Sequence, residues 1–172
     1  EGVSLEHLVI DGLSSDNSAE VASAFPHAVW LSGKDSDMSE AINKGFALAK
    51  GEWVMWLNAD DFLMPGALAD MLPLLKETTA DIVYGDIRFV DAAGNLIREL
   101  RSAPWSMFAH VHHACYVQST ATFYRKSTVI DAGHRLREDF RYVMDGEFYA
   151  RLAREGKQFR HVRRVIASFR MH

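Results

Sequence analysis

Asp60 and Asp61 follow the apolar run Trp53-Val54-Met55-Trp56-Leu57 through Asn58 and Ala59. Adjacent carboxylates at the end of a buried strand can hold a hard divalent cation. Such ions take oxygen ligands, usually one or two carboxylates plus the phosphates of a substrate. A helix N-terminus carries the same pair for another reason, because Asp caps its orphan amides and suits its dipole. Pro65 and Gly66 just downstream mark such a helix start. Two further acids have comparable settings. Asp11 follows an apolar run over 5–10, and Asp35 lies in the polar segment after a second run over 28–31. In open α/β sheets ligands bind beyond the carboxyl ends of the strands, so these acidic strand ends are expected on one rim.

The elements that must position these acids follow from apolar periodicity. Strands are predicted over 5–10, 28–31, the segment from Trp53, and 82–84. Helices are predicted to about Ala24 from a cap at Asp16 or Asn17, over 38–50 with Gly51 closing it, and over about 65–76. In the second of these Met38, Ala41, Ile42, Gly45, Phe46 and Ala49 fall at helical spacing. This βα order predicts the α/β class, with a mostly parallel central sheet and helices on both faces. The second half changes character. A hairpin is predicted from 88–90 and 96–100 around a turn at 91–95. An irregular stretch over 104–117, rich in His and aromatics, precedes a strand at 120–124 and a short helix at 127–131. A longer helix over 144–155 and a strand over 165–169 close the chain.

Composition narrows the class. The 172 residues fit one domain, and 48% hydrophobic with 24% charged residues is ordinary for a globular protein. A net charge of −4 gives no sign of a nucleic-acid partner. Arg160, Arg163, Arg164 and Arg170 crowd the C-terminal end, either as a solvated face or as an attraction to an anionic substrate or membrane surface. Cys115 is the single cysteine, so no internal disulfide forms, and a reducing cytosol is permitted. No apolar run approaches a membrane span.

These residues resemble family 2 glycosyltransferases of the GT-A fold. Leu8-Val9-Ile10-Asp11-Gly12-Leu13-Ser14-Ser15-Asp16 is similar to the strand-to-loop motif that opens many of them. Asp35, then Glu40-Ala41-Ile42-Asn43-Lys44-Gly45, resembles a segment of the colanic-acid-type, polysaccharide-biosynthesis branch. Gly51-Glu52 and the run to Asp61 resemble the segment that carries the DxD-type metal motif, with Asn58 in place of the commoner Asp. The second half is similar more loosely, through Asp145 and its helix and through Phe169-Arg170-Met171-His172.

The resemblance implies transfer of a sugar from a nucleotide-diphosphate sugar to an acceptor hydroxyl, with inversion and with Mn²⁺ or Mg²⁺. By position, Asp11 contacts the nucleobase, Asp35 shapes the nucleoside pocket and Asp60 faces the ribose or the metal. Ser14 and Asn43 belong to the same nucleotide-sugar site, where Lys44 either neutralises phosphate or sits on the helix surface. Asp61, Asp60 and His172 are the implied metal residues. A carboxylate opening the last long helix would take the acceptor's proton: Asp145 first, Glu147 second. His110, His112 and His113 lack the spacing of a zinc site. His112, His113, Gln118 and Ser119 are expected at the acceptor side. The acceptor would be a saccharide or lipid-linked, in cell-surface polysaccharide or glycolipid synthesis, in the cytoplasm or peripherally at the inner membrane face. Residues 1–86 would form the nucleotide-sugar half and 87–172 the acceptor half of one domain cut at both ends. Relatives carry an additional first strand and helix, so a gap is expected between the strand at 5–10 and the strand from Trp53. The alternatives are a metal-dependent nucleotidyltransferase or phosphohydrolase, against which the missing Gly-rich phosphate loop counts, and a non-catalytic nucleotide-sugar-binding domain.

Overall fold

Strand and helix alternate through the first half, as the periodicity requires. β1 (His7–Asp11), α1 (Ser18–Ser23), β2 (Ala28–Ser32), α2 (Met38–Leu48) and β3 (Trp53–Val54) follow one another. Then come β4 (Phe62–Leu63), α3 (Ala67–Glu77), β5 (Ile82–Val90) and β6 (Leu96–Leu100). α4 (Met107–His112), a 3-10 turn (Ser119–Ala121), β7 (Thr122–Arg125), α5 (Met144–Arg154) and β8 (Phe159–Arg170) complete the order. This computed structural model describes residues 4–113, 115–140 and 142–171.

Local chemistry sets the helix ends. The Asp37 carboxylate accepts the Glu40 N–H at 2.9 Å, and Glu40 reaches back to the Ser36 N–H at 2.7 Å, so α2 opens on reciprocal caps. It ends at Leu48, where Ala49 turns extended, two residues short of the predicted end at Lys50. α3 starts from Gly66, whose left-handed backbone (φ 78°) suits a residue without Cβ. The helix-cap role considered for Asp60 and Asp61 is therefore taken by another residue. The predicted strand from Trp53 keeps only two residues, and the two acids lie in the connection to β4.

The sheet corrects one expectation. β1 and β2 pair in parallel, and so do β5 and β8, but β3–β7, β5–β7, β5–β6 and β4–β8 are antiparallel. The class is α/β, as expected, with a mixed rather than mostly parallel sheet. The parallel reading extrapolated the βα rhythm past β5, where hairpin and return connections take over. The larger sheet runs β3-β7-β5-β8-β4, with β6 also on β5. Among the described residues β1 bonds to β2 and β3 to β7, so the expected discontinuity between β1 and β3 is present.

Helices cover both faces of the larger sheet. Ile82 and Tyr84 of β5 and Tyr124 of β7 join Phe46 of α2 and Phe148, Tyr149 and Leu152 of α5 in one core. Val83 and Ile87 of β5, with Phe123 and Ile166, meet Ala67, Met71 and Leu75 of α3 in the other. The alternation along β5 assigns each side chain to its core.

β8 bulges against β5: the partners of Tyr84 and Asp86 are His161 and Val165. Gly85 sits at that bulge, where a Cβ would lie 2.2 Å from Ile166 Cδ1 and 2.7 Å from the Arg164 carbonyl oxygen. Gly85→Ala should lower stability by about 1–3 kcal/mol, the usual cost of overpacking. Adding Ile166→Ala should recover only part of the loss, because the backbone oxygen stays in place; denaturant titration of the single and double variants checks this.

Candidate active site

Asp11 closes β1 with its side chain buried. Its carboxylate accepts the Ser14 N–H (3.1 Å to Oδ1) and the Ser32 hydroxyl (2.6 Å to Oδ2). These hydrogen bonds, Ser14 first, hold its pKa below the ordinary carboxylate value. Ser14 thus acts on Asp11 through its hydroxyl as well as its backbone N–H.

Asp35 lies across the same rim. A Cβ on Gly12 would be 3.7 Å from its Oδ2, which places the loop after β1 against it. The Asp35 side chain is only 7% exposed; Oδ1 pairs with Lys44 Nζ, while Oδ2 is buried with no hydrogen-bond partner among the described residues. A cleft of about 230 Å³ opens here, walled by Ile10, Leu31 and Leu48 with Ser32, Gly33, Asp35 and Lys44. Lys44 also reaches Glu40 Oε1 at 2.9 Å and the Lys34 carbonyl at 3.0 Å. Asp35, then Glu40, raises its pKa, and the Ser36 N–H followed by Lys44 brings Glu40 down to about 2. Asn43 points elsewhere. Its amide donates to the Leu136 carbonyl (2.9 Å) and to Glu138 Oε1 (3.2 Å) and accepts the Leu136 N–H (3.0 Å), fastening α2 to the segment before α5.

Asp60 and Asp61 divide. Asp61 is 7% exposed. Its Oδ1 accepts the Arg170 N–H at 3.0 Å, and its Oδ2 accepts the Thr120 hydroxyl at 3.0 Å and the Asn58 amide at 3.2 Å. Burial pushes its pKa above the ordinary value despite those donors. Asp60 is exposed, and its carbonyl accepts Arg170 Nε at 3.0 Å. Among the described residues no three His, Cys, Asp or Glu gather into a group that could hold a metal. The donor set still suits a divalent cation held by one exposed carboxylate, Asp60, and completed by substrate phosphates. His172 lies outside the described residues.

At the far side Asp145 stands in the first turn of α5, half-buried, with Oδ1 accepting the Gly146 N–H at 2.8 Å. Glu147 is engaged by Arg151 through both oxygens, at 2.8 and 3.1 Å. No ion pair holds Asp145 among the described residues. Burial, with the Asp145 charge adding to it, pushes the Cys115 thiol up to about 12, so it is neutral at pH 7. Gln118 donates to the Cys115 carbonyl at 3.0 Å, and Ser119 opens the 3-10 turn beside Thr120. His112 and His113 face solvent. His110 faces inward, with Nε2 2.9 Å from the Gly146 carbonyl. A single helical turn separates these histidines, with Met107 and His110 on the inner side and Phe108, Val111 and His112 on the outer.

Residues 3–132 match the model of the family described as Glycosyl transferase family 2. The chain belongs to this family. Succinoglycan biosynthesis protein ExoO of Rhizobium meliloti (strain 1021) is 26% identical over 126 residues, covering 72% of this chain and 36% of that protein. O-antigen biosynthesis protein RfbC of Myxococcus xanthus is 28% identical over 140 residues, covering 78% of this chain and 10% of its own. The crystal structure of S. aureus TarS in complex with UDP superposes with a TM-score of 0.73 at 18% identity, over 95% of this chain and 50% of that one. The complex with UDP-GlcNAc gives 0.70 at 18% identity, over 96% and 49%. The likeness to TarS confirms the GT-A type of α/β fold. This glycosyl transferase family 2 chain spans about half or less of the length of these relatives.

Asp61→Asn separates its structural use from any metal role. A carboxylate whose folded pKa is raised binds more protons folded than unfolded, so its contribution to stability falls as pH rises from the unfolded value, about 3.9, through the folded one. Above that window the wild type carries the full cost of a buried charge. The difference in melting temperature between Asp61→Asn and wild type should therefore shift in favour of the variant as pH rises from 3.5 to 7; a pH-independent difference would contradict it.

Proposed function

We propose that this domain transfers a sugar from a nucleotide-diphosphate sugar to an acceptor hydroxyl in polysaccharide or glycolipid synthesis, with inversion at the anomeric carbon. The observation that carries this reading is the buried, unpartnered Oδ2 of Asp35 in an apolar-walled cleft at the strand rim. A buried acceptor without a donor is costly, and a nucleoside supplies N–H and O–H donors together with a flat apolar face. Asp11, at the end of β1 on the same rim, is a further acceptor, its pKa kept low by Ser14 and Ser32. The names of ExoO and RfbC, and the UDP and UDP-GlcNAc bound to TarS, support the same donor class and setting.

Asp60 would hold Mn²⁺ or Mg²⁺ together with the donor's diphosphate, and when bound such an ion offsets the charge that gathers on the departing phosphates. Asp61 holds the loop that presents Asp60 and takes no part in ligation. Asp145 accepts the acceptor hydroxyl's proton as the oxygen attacks, and a single displacement inverts the centre. Glu147 is spent on Arg151 and is not the base. The acceptor approaches over α4 and the 3-10 turn, so residues 1–86 serve the donor and 87–172 the acceptor. The separate edges of β1 and β3 support a longer protein in which further chain completes the sheet. No helix among the described residues is long and apolar enough to cross a membrane. Use of cytosolic nucleotide sugars and a lipid-linked acceptor would set the full protein at the inner membrane face.

A panel of nucleotide sugars with Mn²⁺, assayed for nucleotide release with and without acceptors, tests this on the full-length protein. Asp145→Asn should lower transfer by roughly 10²–10⁴-fold, the usual contribution of a general base, with donor affinity nearly unchanged. Asp60→Ala should remove the metal dependence of donor binding. Unchanged transfer in Asp145→Asn would refute the base, and absence of nucleotide release from every donor would refute the activity.

A further inference from the structure

We infer that His110 is the positioning residue for Asp145, acting as a fixed Nε2–H donor that locks the first turn of α5. The inference rests on Asp145 being the base. The start of α5 is poorly supported by its own sequence. Its N-cap is Val143, with φ 51° and no side-chain cap, and a β-branched residue is disfavoured in that left-handed region. Strain of this kind persists only where tertiary contacts hold it. Two contacts from distant segments do so. The Ser39 hydroxyl donates to Met144 Sδ at 2.8 Å, and His110 meets the Gly146 carbonyl at 2.9 Å.

A carbonyl only accepts, so the imidazole proton sits on Nε2. Among the described residues Nδ1 is buried with no hydrogen-bond partner. The tautomer is thus fixed by the structure. Trp105 lies on the ring at 4.9 Å between centroids and is itself stacked on Phe159 at 4.4 Å. The segment leading to α4 is anchored in the core. The Ser106 N–H donates to the Tyr116 hydroxyl at 2.6 Å, and the Ser102 N–H donates to Asp86 Oδ1 at 2.9 Å. Buried His161 holds the same Asp86 oxygen at 2.8 Å. A continuous line of hydrogen bonds and stacked rings therefore ends on the residue next to Asp145. The Asp145 carboxylate takes its direction from the Gly146 N–H, so fixing Gly146 fixes the base. A base displaced by about 1 Å can lose on the order of 10²-fold in rate while donor binding stays intact.

The test uses full-length protein and the nucleotide sugar selected by the donor panel. His110→Ala should lower kcat by roughly 10–100-fold with the donor KM within about twofold. His110→Gln, whose amide can present an N–H near the Nε2 position, should recover most of that loss. In the residual activity of Asp145→Asn, adding His110→Ala should have little further effect, since its action runs through the missing base. Long-range ¹H–¹⁵N spectra should show the His110 proton on Nε2 at neutral pH, which needs no activity and no variant. Wild-type kcat in His110→Ala with Asp145→Asn inactive would overturn the inference. So would Gln no better than Ala, or a proton on Nδ1. Full activity in Asp145→Asn would instead refute the base itself, whatever the His110 variants do.

Discussion

The buried carboxylate of Asp61 joins three parts of the chain that are far apart in sequence: Asn58 before β4, Thr120 in the 3-10 turn and Arg170 at the end of β8. A carboxylate withdrawn from water is costly unless donors replace the lost hydration, and these three do so in part. Their placement fixes the end of β8 beside β4 and brings the 3-10 turn against both. It also decides where Asp60 goes. With its neighbour committed inward, Asp60 is exposed. The acid that looked most like a metal ligand is the anchor, and the acid beside it is the one presented to solvent.

β5 organises the rest. Its alternate residues feed two cores, one under α2 and α5 and one under α3. α2 supplies Lys44 to the cleft beside Asp35, and α5 carries Asp145 over the same core. The bulge of β8 at Gly85 lets His161 face Asp86 from within the sheet. That pair steadies the loop toward α4. The segment leading to α4 is thus held by a few polar contacts buried between apolar cores, where each is strong because little water competes.

Much of this was legible beforehand. The apolar run before Asp11 placed it on a strand end, whereas Asp35 and Asp60-Asp61 lie in the connections that follow β2 and β3, and the alternation of elements gave the α/β class. α5 and the β5–β6 hairpin fall where periodicity puts them. The direction of the later strands was not legible, because an apolar run pairs equally well either way and connection geometry decides. The uses of individual polar side chains were less legible still. Asn43 looked like a ligand contact and fastens α2 to Leu136. Glu147 looked like a spare base and is gripped by Arg151. His112 and His113 drew attention, and His110 is the one turned inward.

By itself the sequence determined which carboxylates follow apolar runs, the alternation of strand and helix in the first half, and which family the motifs belong to. These are local properties, set by periodicity, caps and the order of residue types. The tertiary structure alone decided which of two adjacent carboxylates is buried, which of two helix acids is held by Arg151, and which histidine reaches Gly146. Each of those outcomes depends on a partner supplied from elsewhere in the chain, from Arg170 to Asp61 or from His110 to Gly146. The cost of burying a polar group is settled only by what stands opposite it after folding.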